Sequence, residues 1–261
     1  MGNEFAGEPG AWWQTLYDDT VAEVLLLRRD PAETAATVRF LRDVLGLGPG
    51  ASAFDQCCGT GTLALPLAEA GVRVTGVDQS EDYVRRATEE AGRRGLPCRF
   101  VAADAFAFAA PQPCDAAFNW NTGFGNHQDD GRNRDMLRRA FESLRPGGRF
   151  ALDYQHVPRI LRHFQRCLTH RLPTPAGDVI VLRESTADLA AGALRQRWTF
   201  LLPDGRRRER QSLVRLYLPH ELAGLLAAAG FADVEFFGGT DGRPLDLDSP
   251  RCIALARRPD R

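Results

Sequence analysis

The sequence predicts an α/β protein: a largely parallel sheet with helices on both faces, carrying an antiparallel β insertion. Three observations predict it. From residue 51 short apolar runs alternate with helix-patterned segments, the rhythm of right-handed βαβ units. Between 157 and 217 that rhythm gives way to runs of branched and aromatic residues, the last two joined by "PDG", an Asp-Gly hairpin signal. After 218 one helix-patterned segment and two strand-like runs follow.

In order, "AWWQTLYDDTVAEVLLLRRD" places apolar or aromatic residues at 13, 16, 17, 20/21, 24 and 27, a helical period. The next helix opens on Asp30 as cap, with Pro31 and Glu33 in its first turn, and stops at a Gly/Pro cluster. "ASAFDQCC" reads as a strand, "TLALPLAEAG" as a helix, "VRVTGVD" as a strand, and the helix from Ser80 ends at a glycine. "CRFVAAD" and "CDAAFNW" are further strands. A helix with Met136, Leu137, Ala140, Phe141 and Leu144 on one face follows, then a Pro-Gly-Gly turn and the strand "RFALDYQ". "DVIVLREST", "ALRQRWTFLL" and "RRRERQSLVRLYL" make the insertion. "PHELAGLLAAAGF", "DVEFFGG" and "RCIALARR" are read as a helix and two strands. The expected divisions are 1–48, a helical cap; 49–156, the core; 157–217, the insertion against one end of the sheet; and 218–261, the completion of the core.

The 261 residues carry a net charge of −1, so no electrostatic signature points to nucleic acid or a membrane surface. No apolar stretch reaches bilayer length and the first residues lack a secretory pattern, which leads to the expectation of a cytoplasmic protein. All 33 basic residues are arginine, which excludes a Schiff-base or P-loop lysine. The six cysteines lack metal-motif spacing and are expected to be small apolar fillers, with no metal bound. The arginine run 206–210 reads as a solvated hairpin arm.

Chemistry concentrates in "FDQCCGTGT". A strand ending in Gly-Thr-Gly and running into a helix brings backbone N–H groups close to a ligand. Gly59, Gly61 and Ala64 also satisfy a dinucleotide pattern, so a nicotinamide-dependent oxidoreductase stays open as an alternative. Asp78 ends the second strand, where a carboxylate accepts ribose hydroxyls. Asp104 ends the third, within reach of an adenine amino group. Asp55, in the first strand, would repel a pyrophosphate and attract the ammonium and sulfonium of S-adenosylmethionine, which favours the sulfonium cofactor.

"FDQCCGTGT", "VTGVDQS", "FVAADAF", "CDAAFNWNTGFG" and "LRPGGRFALD", in that order, resemble the motif series of class I S-adenosylmethionine-dependent methyltransferases over about residues 50 to 155. The tail "AGFADVEFF…RCIALARR" is similar to that fold's closing helix and hairpin. The resemblance implies a Rossmann-like, seven-stranded sheet, mostly parallel with the last strand antiparallel. The wider frame resembles small-molecule methyltransferases of natural-product (antibiotic) pathways, lincosamide-type N-methyltransferases among them. It implies S-adenosyl-L-methionine as cofactor, S-adenosyl-L-homocysteine as product, and a small-molecule acceptor, with a homo-oligomer left open. Gly59, Gly61 and the backbone at Cys57 would hold the adenosyl and methionine portions. Asp78 would bind the ribose, Gln79 would flank the adenine, Asp104 and Ala105 would face its edge, and Asn119 would lie beside the methionine moiety. Two departures stand out: Cys57 replaces the first loop glycine, and Gln56 replaces an apolar residue.

Methyl transfer needs alignment and exclusion of water, and an amine acceptor needs no base, whereas a hydroxyl or carbon acid does. N-methylation is therefore expected ahead of O- or C-methylation. His127 and His156 follow the fourth and fifth strands at the ligand-binding edge and are the candidate bases, since histidine titrates near neutrality. Trp13 and Tyr17 on the first helix are candidates to close over the cationic cofactor or acceptor, Tyr17 as a catalytic contact. Trp120, Phe124 and Trp198 are candidates for an apolar acceptor pocket.

Overall fold

Apolar strands bounded by glycine-rich turns supply the framework, and their ends place the conspicuous carboxylates. The computed structural model describes residues 12–17, 30–121 and 123–260. In chain order its elements are α1 (Trp13–Leu16), α2 (Pro31–Leu45), β1 (Ser52–Gln56), α3 (Ala64–Glu69), β2 (Arg73–Asp78), α4 (Glu81–Arg94), β3 (Cys98–Ala102), β4 (Cys114–Asn119), α5 (Asp130–Glu142), β5 (Leu144–Tyr154), α6 (Val157–Arg162), β6 (Cys167–Thr174), β7 (Gly177–Asp188), β8 (Ala193–Leu201), β9 (Arg207–Arg215), α7 (Pro219–Ala229), β10 (Ala232–Phe237) and β11 (Cys252–Arg257). They divide into two units: Arg29–Gly125, Asp129–His163 and Tyr217–Arg261 form the larger, and Met1–Arg28, Asn126–Gln128 and Phe164–Leu216 the smaller.

The larger unit is a seven-stranded sheet in the order β10-β11-β5-β4-β1-β2-β3. β1 to β5 pair in parallel, and β11, the last strand, runs antiparallel to both its neighbours. On one face Ala53, Val74, Ala116, Phe118, Ala151 and Ile253 pack beneath Phe40, Leu41 and Leu45 of α2 and Leu67 of α3. On the other, Phe150 stacks on Phe231 at 5.1 Å, and Phe231 meets Phe141 of α5 edge-on at 5.2 Å. β1 lies between β2 and β4, so successive crossovers leave in opposite directions at the β1–β4 boundary. The crevice at such a switch point, outside the strand carboxyl ends, is where open α/β sheets take ligands.

The smaller unit holds an antiparallel meander, β6-β7-β8-β9. Its β8–β9 hairpin closes at Gly205, where the Asp-Gly signal lies, with Leu201 opposite Arg207. Trp12 and Leu16 pack on Val179, Val181, Phe200 and Leu213, while the Trp12 indole N–H is shared between the carbonyls of Leu213 (3.0 Å) and Asn126 (3.1 Å).

Four readings need correction. The insertion has a fourth strand, β6, and is preceded by the short helix α6, neither expected from the sequence. The Pro-Gly-Gly segment lies inside β5, which begins at Leu144 and shifts register against β4 between Cys114 and Ala116. Cys57 and Cys58 lie beyond the end of β1, in the turn, not on the strand. Cys167 is exposed rather than a core filler. The helix expected across 13–27 is described only as Trp13–Leu16; positions 18–29 lie outside the described residues.

Phe150 is fully buried between the sheet and the Phe231 ring, so Phe150→Ala leaves a cavity. Chemical denaturation is expected to show a loss of about 3–5 kcal/mol.

Candidate functional site

Each strand of the β2-β1-β4 trio ends in a polar residue at the switch point. Asp55 on β1 is 3% exposed, beside Phe118 of β4 and Gly76 of β2. No hydrogen-bond donor among the described residues reaches its carboxylate. Burial, and then the neighbouring Asp78, hold its pKa well above the usual carboxylate range. Asp78 is also pushed up by burial, opposed by the N–H groups it accepts: Ser80 at 3.0 Å and Gly59 at 2.9 Å, with Gln79 contributing. The loop from β1 to α3 is thus tied to the end of β2 through Gly59.

Within that loop, Gly61 has φ +80°, and a Cβ there would lie 3.2 Å from both Leu65 Cγ and Phe100 Cζ. Cys57 holds φ +66°, the conformation its missing glycine would adopt without strain. Burial, then Asp78, Asp55 and Asp104, raise the Cys57 thiol well above its ordinary pKa, so it stays protonated and is not a nucleophile.

The opposite sheet face carries a buried polar bridge. Gln56 donates to the Met136 carbonyl at 2.9 Å and accepts from Asn119 Nδ2 at 3.1 Å. Both residues are fully buried, yet Asn119 Oδ1 has no hydrogen-bond partner. It lies against Gly123: a Cβ at that glycine would come within 2.4 Å of Asn119 Oδ1 and 3.0 Å of Cys57 Cβ. The loop after β4 therefore seats directly on the β1 loop. Asp104 is exposed two residues past β3, its Oδ1 accepting the Phe106 N–H at 2.9 Å, and Ala105 is buried beside it. Gln79 is half-buried at the start of the turn after β2.

Asp55, Cys57, Gly59, Gly61, Asp78, Gln79, Asp104, Ala105 and Asn119 are brought to one edge of the larger sheet. Three further candidates share that unit. Trp120 is taken into the core against Phe40 (6.1 Å), with the Arg251 guanidinium 5.6 Å from its ring centre. Phe124 packs with Tyr154 (6.0 Å) and Tyr217 (5.9 Å). His156 is buried, its Nδ1 at 2.9 Å from the Ser249 carbonyl; that nitrogen carries the proton, leaving Nε2 as the acceptor in the neutral ring. The smaller unit holds the other four. Trp13 packs on His127 at 5.9 Å, Tyr17 lies 6.4 Å from Trp12, and Trp198 donates to Ser212 Oγ at 3.1 Å beneath Arg183.

Sequence reasoning missed Tyr154 and the Tyr217 network. The Tyr217 hydroxyl donates to Asp130 at 2.5 Å and accepts from Asn133 at 2.8 Å. Asp130 and Asn133 are three apart on α5, a spacing that puts both on one face, but nothing local marks Tyr217 as their partner.

Residues 53–148 match a family described as methyltransferase domain. That stretch of the chain is similar to a methyltransferase domain. The 27-O-demethylrifamycin SV methyltransferase of Amycolatopsis mediterranei is 38% identical over 133 residues, 49% of this chain and 47% of that protein. The chain spans less than half the length of the curated relatives it matches. Among solved structures, the CcbJ methyltransferase of Streptomyces caelestis aligns with a TM-score of 0.73 at 21% identity, over 88% of this chain and 90% of that one. The sugar N-methyltransferase KedS8 of Streptoalloteichus sp. aligns at 0.69 and 20% identity, over 99% and 100%. At these identities the structures establish the fold. The methyltransferase-domain match includes Gly59, Gly61 and Ala64 and so favours the sulfonium over the oxidoreductase reading of that loop.

The domain's residues fit an adenosyl-sulfonium group. Asp55 offers a desolvated carboxylate with no cation beside it among the described residues, and Asn119 offers an unused acceptor. The carboxylate oxygens of Asp78 each accept more than one hydrogen bond, so ribose hydroxyls add to the amides already bound.

The loop geometry gives a paired test. Gly61→Ala places a side chain at φ +80° against Leu65 and Phe100 and is expected to cost about 1–2 kcal/mol or more in a denaturation midpoint measurement. Cys57→Gly relieves a strained φ and is expected to change stability by no more than about 1 kcal/mol.

Proposed function

We propose that the protein is an S-adenosylmethionine-dependent methyltransferase acting on a small natural product, with an amine as the acceptor. The observation that carries this reading is Asp55: a carboxylate buried at the switch point, with no donor and, among the described residues, only another carboxylate as its charged neighbour. The described residues supply no counter-charge, and a cationic ligand would supply it. A pyrophosphate would add repulsion there.

The cofactor, when bound, supplies a methyl group already activated by its sulfonium. The chain's part is to bind, orient and exclude water. Asp55 and the backbone at Cys57 hold the methionine end, joined by the Asn119 Oδ1 acceptor. Asp78 holds the ribose, and Gln79, Asp104 and Ala105 border the adenine. Fixing these groups in one alignment is worth up to about 7–11 kcal/mol in favourable cases. For the acceptor we assign Phe124 and His156 of the larger unit, and Trp13, Tyr17, His127 and Trp198 are kept as candidates within the smaller unit. His156 is the group of the larger unit proposed to meet the reacting centre.

An amine needs only to be neutral and placed, which suits a domain in which His156 is already committed through Nδ1 to the Ser249 carbonyl. The names of two aligned structures support it: KedS8 is a sugar N-methyltransferase and MtfA a glycopeptide N-methyltransferase. O-methylation is the second reading, supported by the name of the rifamycin relative, and it would call on His156 Nε2 or His127 as base.

Mass spectrometry of a panel of aminated and hydroxylated natural-product intermediates with S-adenosylmethionine tests the activity. A gain of one methyl on nitrogen is expected; methylation confined to hydroxyls moves the assignment to the second reading. The pH dependence follows from Asp55. Its raised pKa means that the ligand-free folded protein keeps a proton that the unfolded chain has lost. Stability therefore falls as pH climbs from the ordinary carboxylate range through the raised value. Asp55→Asn is expected to flatten that decline in a thermal-unfolding series. It is also expected to weaken S-adenosylhomocysteine binding by about tenfold or more, the scale of one charge-assisted contact. Undiminished binding by the variant would remove Asp55 from the site.

A further inference from the structure

Of the stretch "DLDSPR", residues 246–251, only the Ser249 carbonyl enters the reading above, yet the stretch is hydrogen-bonded to the end of β5 and to α6 in the larger unit. Ser249 Oγ bonds Asp246 Oδ1 at 2.8 Å, the Ser249 carbonyl accepts His156, and the Asp248 carbonyl accepts Arg159 at 3.0 Å. Its last residue, Arg251, reaches inward. The guanidinium forks onto Asp153 at the end of β5, Nε to Oδ1 at 2.9 Å and an Nη to Oδ2 at 2.6 Å. The same Nη donates to Asn121 Oδ1 at 3.1 Å, while the Asn121 backbone N–H donates to Asp153 Oδ2 at 3.1 Å. Asn121 holds φ +55°, so the chain turns sharply at the point where it is gripped through both side chain and backbone. Two residues later comes Gly123, seated on Asn119 Oδ1 and Cys57.

We infer that Arg251 is a positioning residue that sets the loop after β4, acting through Asp153 and Asn121 on the wall made by Asn119 and Cys57. Only a planar fork spans both acceptors. Lysine keeps the charge beside Asp153 but, as a point charge, does not hold Asn121 at the same time. Asp153 is 7% exposed and Arg251 22%, so the pair is shielded from water, and the position of Asn121 is set by geometry rather than by a loose surface attraction. The contact of Arg251 with Glu33, at 3.3 Å and 57% exposed on the Glu side, is peripheral and serves as an internal control.

The test has two arms. In the ligand-free protein, amide hydrogen exchange is followed in peptides covering 119–126, β1 and β5. With ligand, the dissociation constant for S-adenosylhomocysteine is measured by calorimetry; only this arm rests on the cofactor reading. Arg251→Met and Asn121→Ala are each expected to speed loop exchange and to weaken binding, both by about tenfold, with β1 and β5 unchanged. The double variant is expected to be no worse than Arg251→Met alone, since the two residues act as one unit. Glu33→Gln is expected to change neither readout. If Arg251→Met fails to fold, Arg251→Lys and Asn121→Ala carry the test, and the loop effect must persist in both. Unchanged loop exchange in folded variants, additive effects in the double variant, or faster exchange across the whole unit would overturn the inference and leave Arg251 a general clamp. If wild-type protein does not bind S-adenosylhomocysteine, the cofactor reading fails, and the exchange arm still decides the role of Arg251.

Discussion

Two carboxylates, buried Asp55 and half-buried Asp78, lie at neighbouring strand ends at the switch point, with no cation between them among the described residues. Burial of like charges is costly, and native structures avoid it unless something else supplies the compensation. For Asp78 the chain supplies part of it through the N–H groups of Gly59 and Ser80. For Asp55 the described residues supply none. The surrounding arrangement follows from that asymmetry: the Gly59–Gly61 loop serves one carboxylate through the Gly59 N–H and leaves the other without a donor among the described residues.

The topology forces this placement. β1 is flanked by β2 and β4, so its carboxyl end is the one position in the sheet where loops peel away on both sides. The face bearing Asp55 is largely apolar, covered by α2 and α3, and that burial holds the carboxyl pKa well above its ordinary range. The other face, under α5, uses Gln56 and Asn119 to bind the strand ends to the Met136 carbonyl. An apolar residue at position 56 would pack there as well, but would leave the Met136 carbonyl and Asn119 without this link. The departure at Gln56 is thus compensated within its own neighbourhood, and the departure at Cys57 is absorbed as backbone strain next to the site.

The parallel core was legible because its signals are local: alternation of element types, Asp30 and Ser80 as caps, and acids at strand ends. The Asp-Gly hairpin was legible for the same reason. β6 was not, because "CLTHRLPT" is mostly exposed and contains Pro173, which argues against a strand; as an edge strand it tolerates a residue with no N–H to donate. The six-residue α6 is too short to display a period. Within the site, Asp55, Asp78 and the glycines could be named from sequence since each belongs to a short motif. The Asp153–Arg251 fork could not, because its members are 98 residues apart and meet only when β11 closes beside β5. Trp120 looked like an acceptor-pocket residue from its place after β4, and the sheet packs it against Phe40 instead.

The proton count on ligand binding bears most directly on this scheme. Calorimetric titration of the wild-type protein with S-adenosylmethionine, repeated near pH 6 in buffers of different ionisation enthalpy, reads how many protons leave or enter. If Asp55 is held protonated by burial and ionised by the arriving cation, binding releases protons, and the release fades at higher pH. Binding with no proton released, or with proton uptake, would contradict it and place the positive end of the ligand somewhere other than Asp55.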